Sequence, residues 1–327
     1  MAVAKSNLKL VIMIPCLNEE KTLPMTMKNI PKKIPGISSI EVLIVNDGST
    51  DKTVEVAKSL GVKYFVHHAR NRGLALSLKD AVLKGLSMGA DILVLTDGDN
   101  QYPQERIPDL IRPIQEGKAE IVIADRQTHK IDHFSPTKKF LQKNGTKVMN
   151  LAAGTDIPDA TSGFRAYSKE AAIKMNLVGR FNFAMETTLQ ASYKRMAIAT
   201  IKIDTNPKTR ESRLFKSSWE HVRKSAIALF NSFTMYKSYL VFLTISFILF
   251  IAGLIPFAHY LGVVIFHNRN AFGPHHLQSL IIGTVLLNAS FVSLALAIIA
   301  NLIRINRSMI EDMIEESRRA RYSTDQD

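Results

Sequence analysis

The stretch Ile92-Leu-Val-Leu-Thr-Asp-Gly-Asp-Asn-Gln-Tyr-Pro103 decides how this chain folds. Four apolar residues stop at two aspartates separated by one glycine. Such a run, bounded by Asp-Gly, reads as a buried strand whose last residues emerge into a turn. In open α/β sheets the ligand crevice lies beyond the carboxyl ends of the strands. Asp97 and Asp99 are therefore expected to present hard oxygen ligands to that crevice, with Gln101 just beyond them. Two carboxylates this close repel each other unless paired, so a divalent cation sharing substrate phosphates suits them. An acidic turn with no ligand is the other reading of the same residues, and the surroundings decide between the two.

The pattern repeats on either side. Leu8 to Pro15 is an apolar run followed by Cys16-Leu-Asn-Glu-Glu20 and a helical stretch through Ile30. Glu41 to Val45 closes with Asn46-Asp-Gly-Ser-Thr-Asp51 before a helix from Thr53 to Leu60. Val62 to His67 is a third strand, and Arg70-Asn-Arg-Gly73 leads into a helix reaching about Met88. After the strand that ends at Asp97, a fifth runs from Glu120 to Ala124 and meets Asp125-Arg126; Ile198 to Ile203 suits an outer strand. Strands alternating with helices imply parallel β-α units with helices on both faces. The expected fold class is α/β with a Rossmann-like, mostly parallel sheet over residues 1–215. Within it, Lys138, Lys139, Lys143 and Lys147 recur on one helix, a pattern more often a solvated face than a binding site.

Beyond residue 215 the composition changes. Trp219, Val222, Ala226, Leu229, Phe230 and Phe233 fall at helical spacing beside His221, Arg223 and Lys224, as in an amphipathic helix (216–237) on a membrane surface. Residues 238–266 and 277–303 are apolar over more than the ~20 residues a bilayer-spanning helix needs. The connecting loop (267–276) has only Arg269, whereas basic residues crowd the approach to the first span and the tail, 304–327. The positive-inside rule then puts the large domain and both termini in the cytoplasm of a plasma or inner membrane. The three histidines of the loop, His267, His275 and His276, have no cysteine or carboxylate beside them and read as solvated or interfacial.

The chain carries 42 Lys and Arg against 29 Asp and Glu, a net charge of +13, which favours an anionic partner. Cys16, the single cysteine, excludes an internal disulfide. No GxGxxG or Walker-type loop appears, which argues against a dinucleotide enzyme or a P-loop ATPase. What remains is a mixed set at strand ends and the turns after them: Glu19, Asp47, Asp97 with Asp99, Arg126 and Arg165. Carboxylates hold a metal and ribose or base donors, and arginines grip phosphate bidentately. A nucleotide diphosphate with a cation is the ligand this mixture suits.

Taken in order, Ile14-Pro-Cys-Leu-Asn-Glu-Glu20, Val45-Asn-Asp-Gly-Ser-Thr-Asp51, Asn71-Arg-Gly73, Asp97-Gly-Asp-Asn-Gln101 and Ser162-Gly-Phe-Arg165 resemble the family 2 glycosyltransferases. Within that family the resemblance is to the polyprenyl-phosphate (dolichyl- or undecaprenyl-phosphate) sugar synthases with two C-terminal spans. It implies a GT-A fold and inverting transfer of one sugar from a nucleotide-sugar donor to a polyprenyl phosphate, with Mg2+ or Mn2+. By matching position it puts Pro15, Glu19 and Asp47 at the base and ribose, and Asp97, Asp99 and Gln101 at diphosphate and metal. Arg126 and Arg165 fall by the phosphates, and Glu186 and Lys208 at further donor positions. Asp99, Arg126, Arg165 and Asp159 form the implied catalytic group, Asp159 as base, sugar-orienting residue or turn cap. Membrane lipids are expected as partners, nucleic acid is not, and Asn288 in the second span offers a hydrogen bond to another helix for a homo-oligomer. Leu17 replaces a frequent aromatic, Asn46 a frequent aspartate, and Lys208 and Arg210 an arginine and a glycine. A membrane polysaccharide synthase and a non-catalytic sugar-nucleotide sensor are the competing readings.

Overall fold

A computed structural model of the chain describes residues 7–128, 136–177, 183–207, 218–267 and 274–323. The chain forms two compact units, Met1–Leu229 with Ile314–Asp327, and Phe230–Met313.

The first unit is built on a seven-stranded sheet: β1 (Leu8–Cys16), β2 (Ile37–Asn46), β3 (Tyr64–His67), β4 (Ile92–Leu95), β5 (Ile121–Asp125), β6 (Arg165–Ser168) and β7 (Ile198–Lys202). The order across it is β3-β2-β1-β4-β6-β5-β7. Strands β1, β4 and β5 are almost wholly buried, as continuous apolar runs covered on both faces by helices must be. Leu10, Ile12, Ile14, Ile44, Ile92 and Val94 make the centre of the core. Each such side chain contributes roughly 1.5–3 kcal/mol relative to exposure.

Helices α1 (Leu23–Lys28), α2 (Thr53–Ser59), α3 (Leu74–Ser87) and α4 (Ile107–Gln115) fill the connections, followed by α5 (Pro136–Ala153), α6 (Lys169–Lys174) and α7 (Phe183–Tyr193). The five parallel strands from Leu8 to Asp125 and the outer strand fall where their apolar runs put them. The exception is β6, four residues that run antiparallel to both β4 and β5. Its first residue, Arg165, pairs with Leu95 on one side and Ile123 on the other. Reversal thus brings the turn before β6 to the edge where β4 and β5 end. Because β1 lies between β2 and β4, strand order reverses there, and the crevice of an open sheet opens at such a point.

Two long helices follow, α8 (Ser218–His267) and α9 (Pro274–Ser323). Within Ser238–Ile265 and within Gln278–Tyr322 lie segments long and apolar enough to cross a membrane. Three expected boundaries change. The amphipathic stretch and the first apolar run are one continuous helix, His275 and His276 belong to α9 rather than to a loop, and the tail is helical through Ser323. Within the second unit, Ser246 Oγ donates to Ser290 O (2.9 Å) and Ser290 Oγ to Ser246 O (2.8 Å). A Cβ added at Gly283 would meet the Gly253 carbonyl oxygen at 3.1 Å, so small residues let the two backbones approach.

Candidate active site

The loops after β1 and β4 meet at the crevice. Thr26 Oγ1 donates to Gly98 O (3.2 Å), and a Cβ at Gly98 would lie 3.2 Å from Cys16 Sγ and 3.3 Å from Glu19 Cγ. Glycine between the two aspartates is therefore what lets the β4 turn close against β1. Glu19 is buried and accepts from Thr22 Oγ1 at 2.6 Å. Pro15, in register with Val45, is half-buried near the end of β1. Asp99 is buried, with Gln101 donating from its backbone N to Oδ1 (3.1 Å) and from Nε2 to Oδ2 (2.9 Å). Gln101 thus orients the Asp99 carboxylate through its N–H groups, and its Oε1 is the atom that would serve the expected metal.

The turn before β6 closes the other side. Tyr102 OH accepts from Gly163 N (2.9 Å), its ring stacks on Phe164 at 5.2 Å, and a Cβ at Gly163 would lie 3.7 Å from Asp97 Oδ2. Burial pushes the Tyr102 hydroxyl up to about 12, so it stays a neutral phenol here. Asn206, beyond β7, ties in as well: its Nδ2 donates to Asn100 O (2.9 Å) and its N to Gln101 O (3.0 Å).

Arg126 and Asp159 form a bidentate pair at the end of β5. Nε donates to Oδ2 (2.7 Å) and NH2 to Oδ1 (3.0 Å) and to Thr161 Oγ1 (2.7 Å). Burial works to raise the Asp159 carboxyl, but the Arg126 charge and the bonds from Arg126 and Thr161 outweigh it and hold it below the usual range. A carboxylate so held is a weak base. Its Oδ1 also accepts from Thr161 N (3.2 Å), so Asp159 caps the turn and carries the arginine. The Asp97 carboxylate adds to the potential that favours the charged guanidinium.

Two expected donor contacts take other roles. Arg165 is fully buried, with Nε on Ser162 O (2.8 Å), NH1 on Thr187 and Thr188 Oγ1 (2.8 and 3.1 Å) and NH2 on Ala160 O (2.8 Å). The guanidinium is spent inside the protein, where it fastens the 160–165 turn to the second turn of α7; it does not reach out to phosphate. Glu186, just before Thr187 in the first turn of α7, is buried. Asp47 is likewise engaged: Oδ1 faces His68 Nδ1 (2.7 Å) and accepts from Arg72 N (2.9 Å), and Oδ2 accepts from Gly73 N (2.9 Å). His68 Nε2 lies 3.0 Å from Asp80 Oδ2, so this cluster moors the 70–73 loop and α3 to the end of β2. Lys208 lies outside the described residues. Neither His68 and Asp80 nor Asn206 was legible beforehand, since no motif joins residues so distant; Tyr102 was in view as the neighbour of Gln101.

Among the described residues no three His, Cys, Asp or Glu side chains are grouped to hold an ion. Asp97 and Asp99 nonetheless offer hard carboxylate oxygens on either side of Gly98, the donor type for Mg2+ or Mn2+ that take most of their shell from water and phosphate.

Residues 11–175, half of the chain, match the family model described as glycosyl transferase family 2. The chain belongs to that family. Among its relatives is the dolichol-phosphate mannosyltransferase of Pyrococcus furiosus, 29% identical over 223 residues; the match covers 66% of this chain and 62% of that protein. The UDP-N-acetylglucosamine–dolichyl-phosphate N-acetylglucosaminyltransferase of Methanococcus voltae is 26% identical over 215 residues, 59% of this chain and 84% of that one. In fold, the chain resembles glucosyl-3-phosphoglycerate synthase of Mycobacterium tuberculosis, solved with Mn2+, UDP-glucose and phosphoglyceric acid. There the TM-score is 0.55 at 19% identity, over 71% of this chain and 80% of that one. The family 2 sheet, mixed but mostly parallel and of GT-A type, is thus shared.

Proposed function

We propose that this protein is an inverting glycosyltransferase that moves one sugar from a nucleotide-sugar donor to a polyprenyl phosphate at the cytoplasmic face of a membrane. The observation that carries the reading is the meeting of Asp97-Gly98-Asp99, Glu19 and the Arg126–Asp159 pair at the reversal of strand order, in a chain that also has two membrane-length apolar helices. Its relatives include dolichyl- and undecaprenyl-phosphate sugar transferases, which supports the acceptor class.

A lipid phosphate has its second pKa near ~6, so its oxygen is largely ionised at neutral pH and attacks without a strong base. That suits a site whose Asp159 is locked to an arginine. The difficulty is the approach of an anion to a donor already carrying a diphosphate. Asp97 and Asp99 would hold Mg2+ or Mn2+, which when bound neutralises the departing diphosphate. Arg126, fixed in direction by Asp159 and Thr161, adds positive potential beside Asp97, the preorganised kind of charge stabilisation that dominates such transfers. Gln101 and Asn206 hold the acidic turn, while Arg165 and Tyr102 hold the turn that faces it. Glu19 and Pro15 line the β1 side, where ribose or base donors would be met, and the basic flanks of the spans keep this domain cytoplasmic.

The test uses the full chain in detergent with Mg2+ or Mn2+, a panel of nucleotide sugars and polyprenyl phosphate. One sugar per lipid phosphate is expected. A growing polymer, or donor binding without turnover, overturns the proposal.

A further inference from the structure

Helix α5 differs from α2, α3 and α4 in what it shows to solvent. Its 18 residues hold four lysines and neither aspartate nor glutamate, whereas α2, α3 and α4 mix both signs. One side faces inward. Met149 is fully buried, Asn150 Nδ2 donates to Ile157 O (2.9 Å), and Ala153 O accepts from Ser192 Oγ. On the other side Lys143 and Lys147, one turn apart, are exposed together with Val148 and Leu151. At 82%, Leu151 is the most exposed large apolar side chain among the described residues, ahead of every large apolar side chain described on the two apolar helices.

A lone exposed leucine is ordinary on a protein surface. A leucine and a valine beside two lysines, on a helix with no acid to balance them, have the chemistry of a helix lying in a lipid interface. There the apolar side chains enter the acyl boundary, while lysines extend their stems and meet anionic headgroups. We propose that this face of α5 lies on an anionic lipid surface, with Leu151 and Val148 immersed and Lys143 and Lys147 on lipid phosphates. The proposal rests on the membrane-anchored reading above and adds a second, non-spanning contact within the sugar-transferring unit.

Cys16, the single cysteine of the chain, is buried, which makes an introduced surface thiol selectively labelled. The full chain carrying Leu151→Cys with an environment-sensitive fluorophore is placed in nanodiscs of phosphatidylcholine with or without phosphatidylglycerol. Leu60→Cys, an exposed position on another helix end, serves as control. The probe at 151 is expected to shift to the blue and to be quenched by shallow spin-labelled lipid only in the anionic discs. Each lysine at such a surface is worth about fivefold in binding, so Lys143→Glu with Lys147→Glu should abolish the quenching. The probe at 60 should not respond. Equal emission at 151 in anionic discs, neutral discs and detergent overturns the proposal. Shielding that instead grows with protein concentration in detergent assigns the face to a second copy, and overturns it as well. A chain that stays outside the disc sinks the anchoring reading together with this one; a chain that inserts with Leu151 unshielded sinks this one alone.

Discussion

Asp99→Ala deletes a carboxylate that Gln101 aims from two sides, at a position where the backbone turn is held independently by Asn206 and Tyr102. Turnover should therefore fall by about 10³-fold, the scale of losing a principal electrostatic contact at the reacting phosphates, with the melting temperature almost unmoved. Near-normal rates in that variant, measured at saturating Mg2+ or Mn2+, would remove the metal role from Asp99. Asp159→Asn has a different signature, because it breaks a buried ion pair whose acid exposes only 3% of its side chain. It should cost about 3 kcal/mol of stability, read by denaturant unfolding in detergent. Since the folded carboxyl is held below its ordinary value, its stabilisation is fully present above the unfolded pKa of about 3.9 and lost as pH falls through the folded one. The asparagine variant should consequently lose that acid-side decline and show no change in slope near neutrality. At this scale the acidic pair and Arg126 were legible, because short motifs at strand ends report where the chain turns. What the motifs did not reveal is which polar groups are already spent. Arg165 and Asp47 find partners supplied by residues 20 or more positions away or by their own loop, and one sequence carries no signal for such pairings.

Strands β1, β4 and β5 are legible as elements because a strand covered on both faces is apolar almost throughout, and β2 and β5 are closed by asparagine and aspartate. Strand β6 escaped because its four residues begin with an arginine, and the charge is tolerable there only through hydroxyls of α7 and carbonyls of its own turn. The glycine of the β2 turn makes an element-scale prediction. Gly48 has φ +77°, and a Cβ there would stand 2.6 Å from the Arg70 carbonyl carbon and 2.7 Å from Asn71 N, both backbone atoms. Gly48→Ala must push the 70–73 loop away or strain its own turn, at about 1–3 kcal/mol. Moving that loop should also loosen the Asp47–His68–Asp80 cluster that fixes it. Thermal unfolding reads the first effect, and faster hydrogen exchange of the Arg72 and Gly73 amides, now bonded to Asp47, reads the second.

The extent of the two apolar runs was plain from composition, but their helices overrun them because nothing stops a helix at a change of polarity. Even Pro256 lies inside α8 without ending it, as prolines in apolar helices often do. In the same way α9 continues past residue 303, and its last part, from Ile314, belongs to the first unit. There Lys194 Nζ meets Glu315 Oε2 at 3.1 Å with only 12% and 19% of the side chains exposed, and Arg318 NH1 donates to the Ile173 carbonyl (3.2 Å). Arg319 pairs with Glu170, but both are about 40% exposed, so that contact is worth little. A double-mutant cycle of Lys194→Met and Glu315→Gln should give a coupling of about 1 kcal/mol, against about 0.3 for Arg319→Ala with Glu170→Ala. Burial works to raise the Glu315 carboxyl, yet its bonds from Arg319 and Lys194 hold it below the ordinary value. Its contribution is then complete above the unfolded pKa of about 4.3 and fades as pH drops through the folded one. Hydrogen exchange of residues 314–323, corrected for intrinsic rates, should accelerate in acid in the parent chain and be fast at every pH in Glu315→Gln. If the two chains exchange alike at neutral pH, apolar packing rather than this ion pair holds the end of α9 to the first unit.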